Sequence, residues 1–331
     1  MGLQGQTVLV TGATGFVGGA LASRLLADGV TVRAFVRSAE RGKELAARGA
    51  TLVVGDLSDR EALAHAVAGC DVVFNVGAAM HGTAAQFYAV NVTGVRHLVE
   101  VAHEAGVRRI VHVSTIAVYG YDRYGVLSEE MPPHPGGEGY GQSKALGEQM
   151  LFARAAELGI EATAIRPGMI YGPGSGFWTA KLFGLMRRRP APLPGSGQTY
   201  CPIVYIDDVI ALLLTVAEHE NAVGQVFNCV SDEPVTWRQF LGAYAAMAGH
   251  QMFVPVPLWL LQMGGAVAEV YLRLFGEPQP VRQMVRALLA RRRGYSVNKA
   301  AQLLDWRPQV TLVQGMAQAE TWLRETGLLQ G

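Results

Sequence analysis

Three glycines at three-residue spacing, Gly12, Gly15 and Gly18, stand between a short β-branched run and an apolar helical stretch. Thr7–Val10 reads as a strand, and Phe16 to Leu26 carries apolar side chains at helical period. Strand, glycine turn and helix in that order is the context a dinucleotide's pyrophosphate requires. The first glycine permits the tight turn, the second lets backbone approach the phosphates, and the third lets helix pack on strand. The helix N-terminus then offers unpaired N–H groups and the positive end of its dipole. An ordinary turn between strand and helix rarely needs three glycines.

The alternation continues down the chain. Thr31–Val36 reads as a strand, Ala39–Arg48 as a helix, and Thr51–Val54 as a strand ending in Gly55-Asp56-Leu57. Ser58-Asp59-Arg60-Glu61 has the form of a capping box opening the next helix. Val72–Asn75 is a strand followed by the small residues Gly77-Ala78-Ala79; a long helix spans about 84–105, and Arg109–Ser114 is the next strand. Strands alternating with helices predict an α/β fold, a doubly wound parallel sheet covered on both faces. Ligands of such sheets bind beyond the carboxyl ends of the strands, where Asp56, Gly77, Ala78 and Thr115 fall.

From about Gly172 the pattern loosens into loops marked by Pro173, Pro190, Pro192 and Pro194. Val204–Ile206 and Gln225–Cys229 are expected to return to the main sheet, with a helix over Asp207–Glu218 between them. Thr236 to Leu329 reads as mostly helical. The expected division is a dinucleotide-binding domain over 1–171, its sheet completed by strands near 204–206 and 225–229, and a smaller, mainly substrate-binding cap over 172–331.

The chain has 331 residues, half of them hydrophobic and 17% charged, so a sizeable core is available. A net charge of +1 makes no electrostatic case for nucleic acid. Cys70, Cys201 and Cys229 have no metal-ligand spacing, nor do the eight histidines, and no metal is expected; the cysteines read as buried thiols of a reducing compartment. No basic segment precedes an apolar run at the N-terminus, so a signal peptide is not expected and a cytoplasmic location is. Leu258–Phe275 is the longest apolar stretch, but Gly264-Gly265, Glu269 and Arg273 make it a poor spanning helix. Arg282, Arg286 and Arg291-Arg292-Arg293 follow it. The favoured reading is a pocket-wall helix followed by a solvated basic one, with peripheral membrane contact left open.

Tyr140 and Lys144 lie four apart, on one face of a helix and one turn from each other. A tyrosine of ordinary pKa, roughly 10, is a poor acid or base at neutral pH. A neighbouring ammonium is expected to stabilise the phenolate and bring it towards a working general acid–base. Ser114-Thr115 supplies hydroxyls at a strand end about 25 residues earlier.

TGATGFVG at Thr11–Gly18, VSTIAVYG at Val113–Gly120, YGQSK at Tyr140–Lys144 and RPGMIYGPG at Arg166–Gly174 together resemble an extended short-chain dehydrogenase/reductase over essentially the whole chain. That resemblance implies a Rossmann sheet, with Tyr140 as acid–base and Lys144 lowering its pKa and binding the nicotinamide ribose. It puts Thr115 at the position that orients the substrate oxygen, with Ser114 beside it in a more structural role. It implies cofactor contacts from Gly12, Thr14, Gly15, Phe16, Val17, Gly18, Arg37, Asp56, Leu57, Gly77, Ala78, Pro167, Met169 and Ile170, with Asp56 near the adenine.

The second strand ends in Phe35-Val36-Arg37-Ser38, without the carboxylate that would bind the 2′-hydroxyl of NAD. Arginine's planar fork suits a 2′-phosphate, so NADP is favoured over NAD; the run TVRAFVRS resembles reductases of the dihydroflavonol type. Nucleotide-sugar epimerases carry polar diphosphate-binding residues where this chain has Met169 and Cys201, and the 4,6-dehydratases place an acidic pair where Ile116-Ala117 stand. GQVFNCVSDEPVTWRQF and YSVNKAAQLLDWRPQVTLVQGM resemble bacterial 3β-hydroxysteroid dehydrogenase-like proteins. The expected partner is a hydrophobic alcohol or ketone of steroid, terpenoid or flavonoid size, with Phe177, Trp178, Met186, Trp259 and Met263 as candidate pocket residues. A cofactor-cycling epimerase and a non-catalytic dinucleotide sensor are the alternatives, and the protein is expected to be a homodimer or a monomer. Asp207-Asp208 reads as helix capping, and His81 as a polar loop residue.

Overall fold

A computed structural model describes residues 2–136, 139–275, 285 and 292–329. Strands and helices alternate through β1 (Thr7–Thr11), α1 (Phe16–Ala27), β2 (Thr31–Val36), α2 (Ala39–Ala47), β3 (Thr51–Val54), α3 (Arg60–Val67) and β4 (Val72–Asn75). Then come α4 (Ala84–Tyr88), a π-helical segment Ala89–Thr93, α5 (Gly94–Glu104), β5 (Arg109–Val113), a 3-10 turn Ile116–Tyr119, β6 (Gly125–Leu127), α6 (Tyr140–Leu158) and β7 (Glu161–Pro167). The rest comprises β8 (Met169–Tyr171), α7 (Leu182–Met186), β9 (Ala191–Pro194), β10 (Ile203–Tyr205), α8 (Ile206–Glu218), β11 (Val226–Cys229), α9 (Trp237–Met247), β12 (Phe253–Val256), α10 (Leu258–Phe275), β13 (Arg292–Tyr295), α11 (Asn298–Leu304) and α12 (Leu312–Glu325).

Seven parallel strands form the main sheet in the order β11-β7-β5-β4-β1-β2-β3. The order reverses between β1 and β4, the switch point at which doubly wound sheets open a crevice for a ligand. Both faces are covered. Val8 and Val10 of β1 point into one core cluster with α1 and α8, and Leu9 between them points into the other, with α3, α5 and α6.

Three local expectations need correction. Tyr205 ends β10, which pairs with β8 in a separate two-stranded sheet and does not return to the main one. The cause is Gly168: a Cβ there would stand 2.2 Å from Pro202 O, so the bare backbone lets the chain leave β7 and run against 201–203. Asp59, not Ser58, caps α3, accepting from the N–H groups of Glu61 and Ala62, while Ser58 Oγ donates to Asp56. Asp207 and Asp208 lie inside the first turn of α8 and do not cap it; the buried Asp208 carboxylate accepts from the N–H groups of Gln309 and Val310 and pins the C-terminal segment.

Arg166 of β7 and Glu148 of α6 form a buried ion pair. Arg166 also donates to the Tyr119 hydroxyl at 2.8 Å, and Tyr119 donates to Asn228 of β11 at 2.8 Å. The network fixes α6, which carries Tyr140 and Lys144, against the end of the sheet.

Candidate active site

The glycine turn is built for close approach. Gly12 has φ +64°, and a Cβ on it would meet Gly77 Cα at 2.7 Å. A Cβ on Gly18 would lie 2.3 Å from Gly12 O, so both residues are demanded by the chain's own packing. Gly15 differs: it is exposed, and its Cβ would meet only Gly12 O, at 3.2 Å. No side chain caps α1, whose N-cap is Gly15. An open glycine beside uncapped helix N–H groups fits a pyrophosphate. Thr14, Phe16 and Val17 flank this turn and are half-buried.

Leu57 packs over Gly77, where an added Cβ would lie 2.8 Å from Leu57 Cδ1, and Gly77 N–H donates to Thr11 Oγ1 at 3.0 Å. The ends of β1, β3 and β4 are thereby brought together, with Ala78 half-buried beside them. Asp56 accepts from Ser58 N–H and Oγ–H, which lowers its carboxyl pKa, and the charge of Arg37 adds to this. Arg37 itself is exposed at the end of β2. Pro167 ends β7; Met169 is buried and Ile170 half-buried in β8.

At the other side of the crevice, Thr115 follows β5 and Tyr140 opens α6. Thr115 is near enough to Tyr140 for its hydroxyl to act on the phenol, and Thr115 Oγ1 accepts from Ala117 N–H at 3.2 Å. Ser114 is buried, and its hydroxyl has no partner among the described residues. Lys144, one turn along α6, is fully buried with its Nζ 3.1 Å from His112 Nε2.

Several structural members of this site are not apparent from sequence patterns. Asn91, in the π-helical segment, accepts from Ala79 N–H and donates to Ala79 O and Ser143 Oγ, tying the loop after β4 to α6. Thr11, Asn75 and His112 form a buried polar row beneath the crevice. Of the aromatic and methionine residues suggested for a pocket, Met186 is buried in the main core. Phe177 stacks edge-on against Trp178 with ring centres 4.8 Å apart, and Phe177, Trp259 and Met263 are exposed. His81 is an exposed loop residue.

The model of the NAD dependent epimerase/dehydratase family matches residues 8–229. The chain belongs to that family. Its relatives place it among the extended short-chain dehydrogenase/reductases: it is 30% identical to the 4-hydroxy-2-methyl-3-oxo-4-farnesyl-3,4-dihydroquinoline-1-oxide ketoreductase of Stigmatella aurantiaca, over 93% of each chain. It is also 30% identical to sterol demethylase protein B of Methylococcus capsulatus, over 98% of this chain and all of that one. In fold it is similar to the UDP-glucuronic acid 4-epimerase of Bacillus cereus in complex with NAD, at TM-score 0.77 and 20% identity, covering 98% and 99% of the two chains. Among this family member's described residues no helix is long and apolar enough to cross a membrane.

The electrostatics of this family member differ from the expectation that Lys144 depresses the Tyr140 pKa. Burial raises the Tyr140 phenol above its ordinary value, outweighing the lowering influence of the nearby Thr115. Lys144 carries its full charge only below neutrality, because burial pushes its own pKa down to about 7, against a smaller raising effect of Glu148. The drop from 10.5 to about 7 corresponds to roughly 5 kcal/mol of penalty on the ammonium. The unfolded chain therefore binds more protons between those two values, and stability contributed through this group rises with pH across that window. Lys144→Met is expected to stabilise the fold by roughly 2–4 kcal/mol at pH 7 and below, once the lost bond to His112 is subtracted. The gain should shrink towards zero as pH approaches 10. Urea unfolding at pH 6.5 and 9.5 measures both; an equal effect at the two pH values would refute the buried-ammonium account.

Proposed function

We propose that the protein is an NADP-preferring oxidoreductase that interconverts a secondary alcohol and a ketone or aldehyde on a hydrophobic substrate. The observation that carries the reading is the placement of Tyr140 at the start of α6, near enough to Thr115 at the end of β5 for that hydroxyl to act on its phenol, with the buried Lys144 one turn behind. The uncapped turn at Gly12, Gly15 and Gly18 would hold the pyrophosphate, Asp56 and Leu57 the adenine side, Gly77 and Ala78 the middle, and Pro167, Met169 and Ile170 the nicotinamide end. Bound there, the dinucleotide supplies or accepts the hydride. Thr115 holds the substrate oxygen through its hydroxyl, and its β-branch limits the rotamers open to it. In reduction Tyr140 gives its phenolic proton to that oxygen, and in oxidation the phenolate takes it back. Ser114 stands in support behind Thr115, and residues 172–331 mainly form the cap over the substrate.

The substrate class is supported by Met169 and Cys201. Both are buried in the main apolar core, and Met169 N–H donates to Pro202 O at 2.7 Å, next to Cys201. A desolvated diphosphate has no partner in such surroundings, whereas apolar substrate surface gains about 25 cal/mol per Å² on burial. The ketoreductase and sterol demethylase relatives are named for substrates of this kind. Net oxidation of NADPH with hydrophobic ketones tests the function. Turnover of a UDP-sugar without net cofactor change would favour an epimerase instead, and cofactor binding without turnover a sensor.

Cofactor preference rests on Arg37, free at the end of β2 and close enough to Asp56 to lower its pKa. Arg37→Glu is expected to weaken NADPH binding about 100-fold, as a charge-assisted contact becomes a repulsion, and NADH by less than about threefold. Fluorescence titration with the two cofactors measures this. Equal losses would remove Arg37 from the argument.

A further inference from the structure

Thr11, Asn75 and His112 occupy directly paired positions on β1, β4 and β5: Thr11 faces Asn75, and Asn75 faces His112. Their side chains join into a row. Gly77 N–H donates to Thr11 Oγ1 at 3.0 Å, and Thr11 Oγ1 lies 2.9 Å from Asn75 Oδ1. Asn75 Nδ2 then lies 3.0 Å from His112 Nδ1, and His112 Nε2 lies 3.1 Å from Lys144 Nζ. Thr11, Asn75, His112 and Lys144 are all essentially inaccessible to water. The ladder runs under the crevice from the loop beside the glycine turn to the lysine.

Donor and acceptor counting gives the ladder two arrangements in which His112 and Lys144 are matched. With Thr11 donating to Asn75 Oδ1, Asn75 Nδ2–H donates to Nδ1 of the ring. The neutral ring then carries its proton on Nε2 and donates to Lys144, which accepts only as a neutral amine. An ammonium needs the reverse: Nε2 accepts, Nδ1–H donates to Asn75 Oδ1, and the amide is turned over so that Nδ2–H donates to Thr11, whose own hydroxyl proton then has no acceptor in the ladder. Between the two, Lys144 gives one proton to Nε2, Nδ1 gives one up to solvent, and Asn75 rotates. The ring itself stays neutral, because burial and the nearby lysine hold its pKa far down.

We propose that His112 is a positioning residue for Lys144, its tautomer switching through Asn75 and Thr11 so that the lysine has a matched partner in both protonation states. The proposal deepens the reading of the site as a Tyr140–Lys144 oxidoreductase and rests on it. Tyr140 and Glu148 lie on α6 with Lys144; Glu148 is bonded to Arg166 of β7, and Arg166 to Tyr119 of the 3-10 turn. On α5, Glu100 is engaged by Arg154 further along α6. Glu148 is the charge that acts on Lys144 directly, and it reports no tautomer.

The first test needs neither substrate nor cofactor. In the ¹⁵N spectrum of the histidine-labelled protein, one neutral ring should pass from the Nδ1–H to the Nε2–H tautomer as pH rises through about 7, and Lys144→Met should abolish that transition. A single tautomer throughout, or an imidazolium titrating in its place, would overturn the proposal while leaving the proposed reaction standing. The second test is the pH profile of kcat. His112→Leu removes the acceptor for the ammonium, so the alkaline limb should move down by about one pH unit. His112→Gln, whose amide can donate or accept, should keep the limb near its wild-type position. A limb unmoved in His112→Leu would mean a packing role only. Loss of turnover in wild type with every ketone would fail the function reading, and the spectrum would still decide the ladder.

Discussion

Tyr140→Phe is expected to lower kcat by about 10²–10⁴-fold, the usual worth of a positioned general acid–base. The ring keeps its packing and only the hydroxyl is lost, so cofactor affinity and melting temperature should stay near wild type. The phenol is half-buried, and burial raises its pKa against the smaller opposing influence of Thr115. In this state it is a proton donor in waiting; to act as a base it needs a nearby positive charge. Lys144, with a pKa of about 7, supplies that charge on the acid side of neutrality. Steady-state kinetics and NADPH titration measure the two halves of the prediction. Near-normal turnover in the variant would show that the proton comes from elsewhere.

Arg166→Leu is expected to cost about 3–5 kcal/mol of stability, because it leaves the Glu148 carboxylate buried without its partner. It also removes the donor to the Tyr119 hydroxyl. Removing both charges together in Arg166→Leu/Glu148→Met should recover much of the loss, since no uncompensated ion remains. Denaturant unfolding of the three proteins measures the cycle. A single variant losing less than about 1 kcal/mol would mean that water or a shifted side chain already satisfies the carboxylate.

The main sheet was legible where sequence signals are local. β2, β3 and β4 are short β-branched runs between breakers, and their observed limits are those expected. The glycine turn and the Tyr140–Lys144 pair are equally local, each set within one turn or one helix. β10 was legible as a strand but not in its pairing, because its partner depends on the bare backbone at Gly168, which lets Pro202 approach. Asp59 was hidden beside Ser58 because either side chain can cap, and Ser58 is taken by Asp56. The ladder was hidden for another reason. Thr11 and Asn75 are 64 residues apart, Asn75 and His112 37, and His112 and Lys144 32. Only strand register brings them together. The one available signal was a polar residue near the carboxyl end of each of three mostly apolar strands.

The reading as a hydrophobic alcohol or ketone oxidoreductase is tested most directly by kcat/KM with NADPH across ketones graded from small to steroid- or terpenoid-sized, with a UDP-sugar alongside. The account predicts stoichiometric NADPH oxidation whose kcat/KM rises with the apolar area of the ketone, at about 25 cal/mol per Å² buried, and no reaction of the UDP-sugar. A flat profile across the ketones, or conversion of the UDP-sugar without net NADPH consumption, would contradict it.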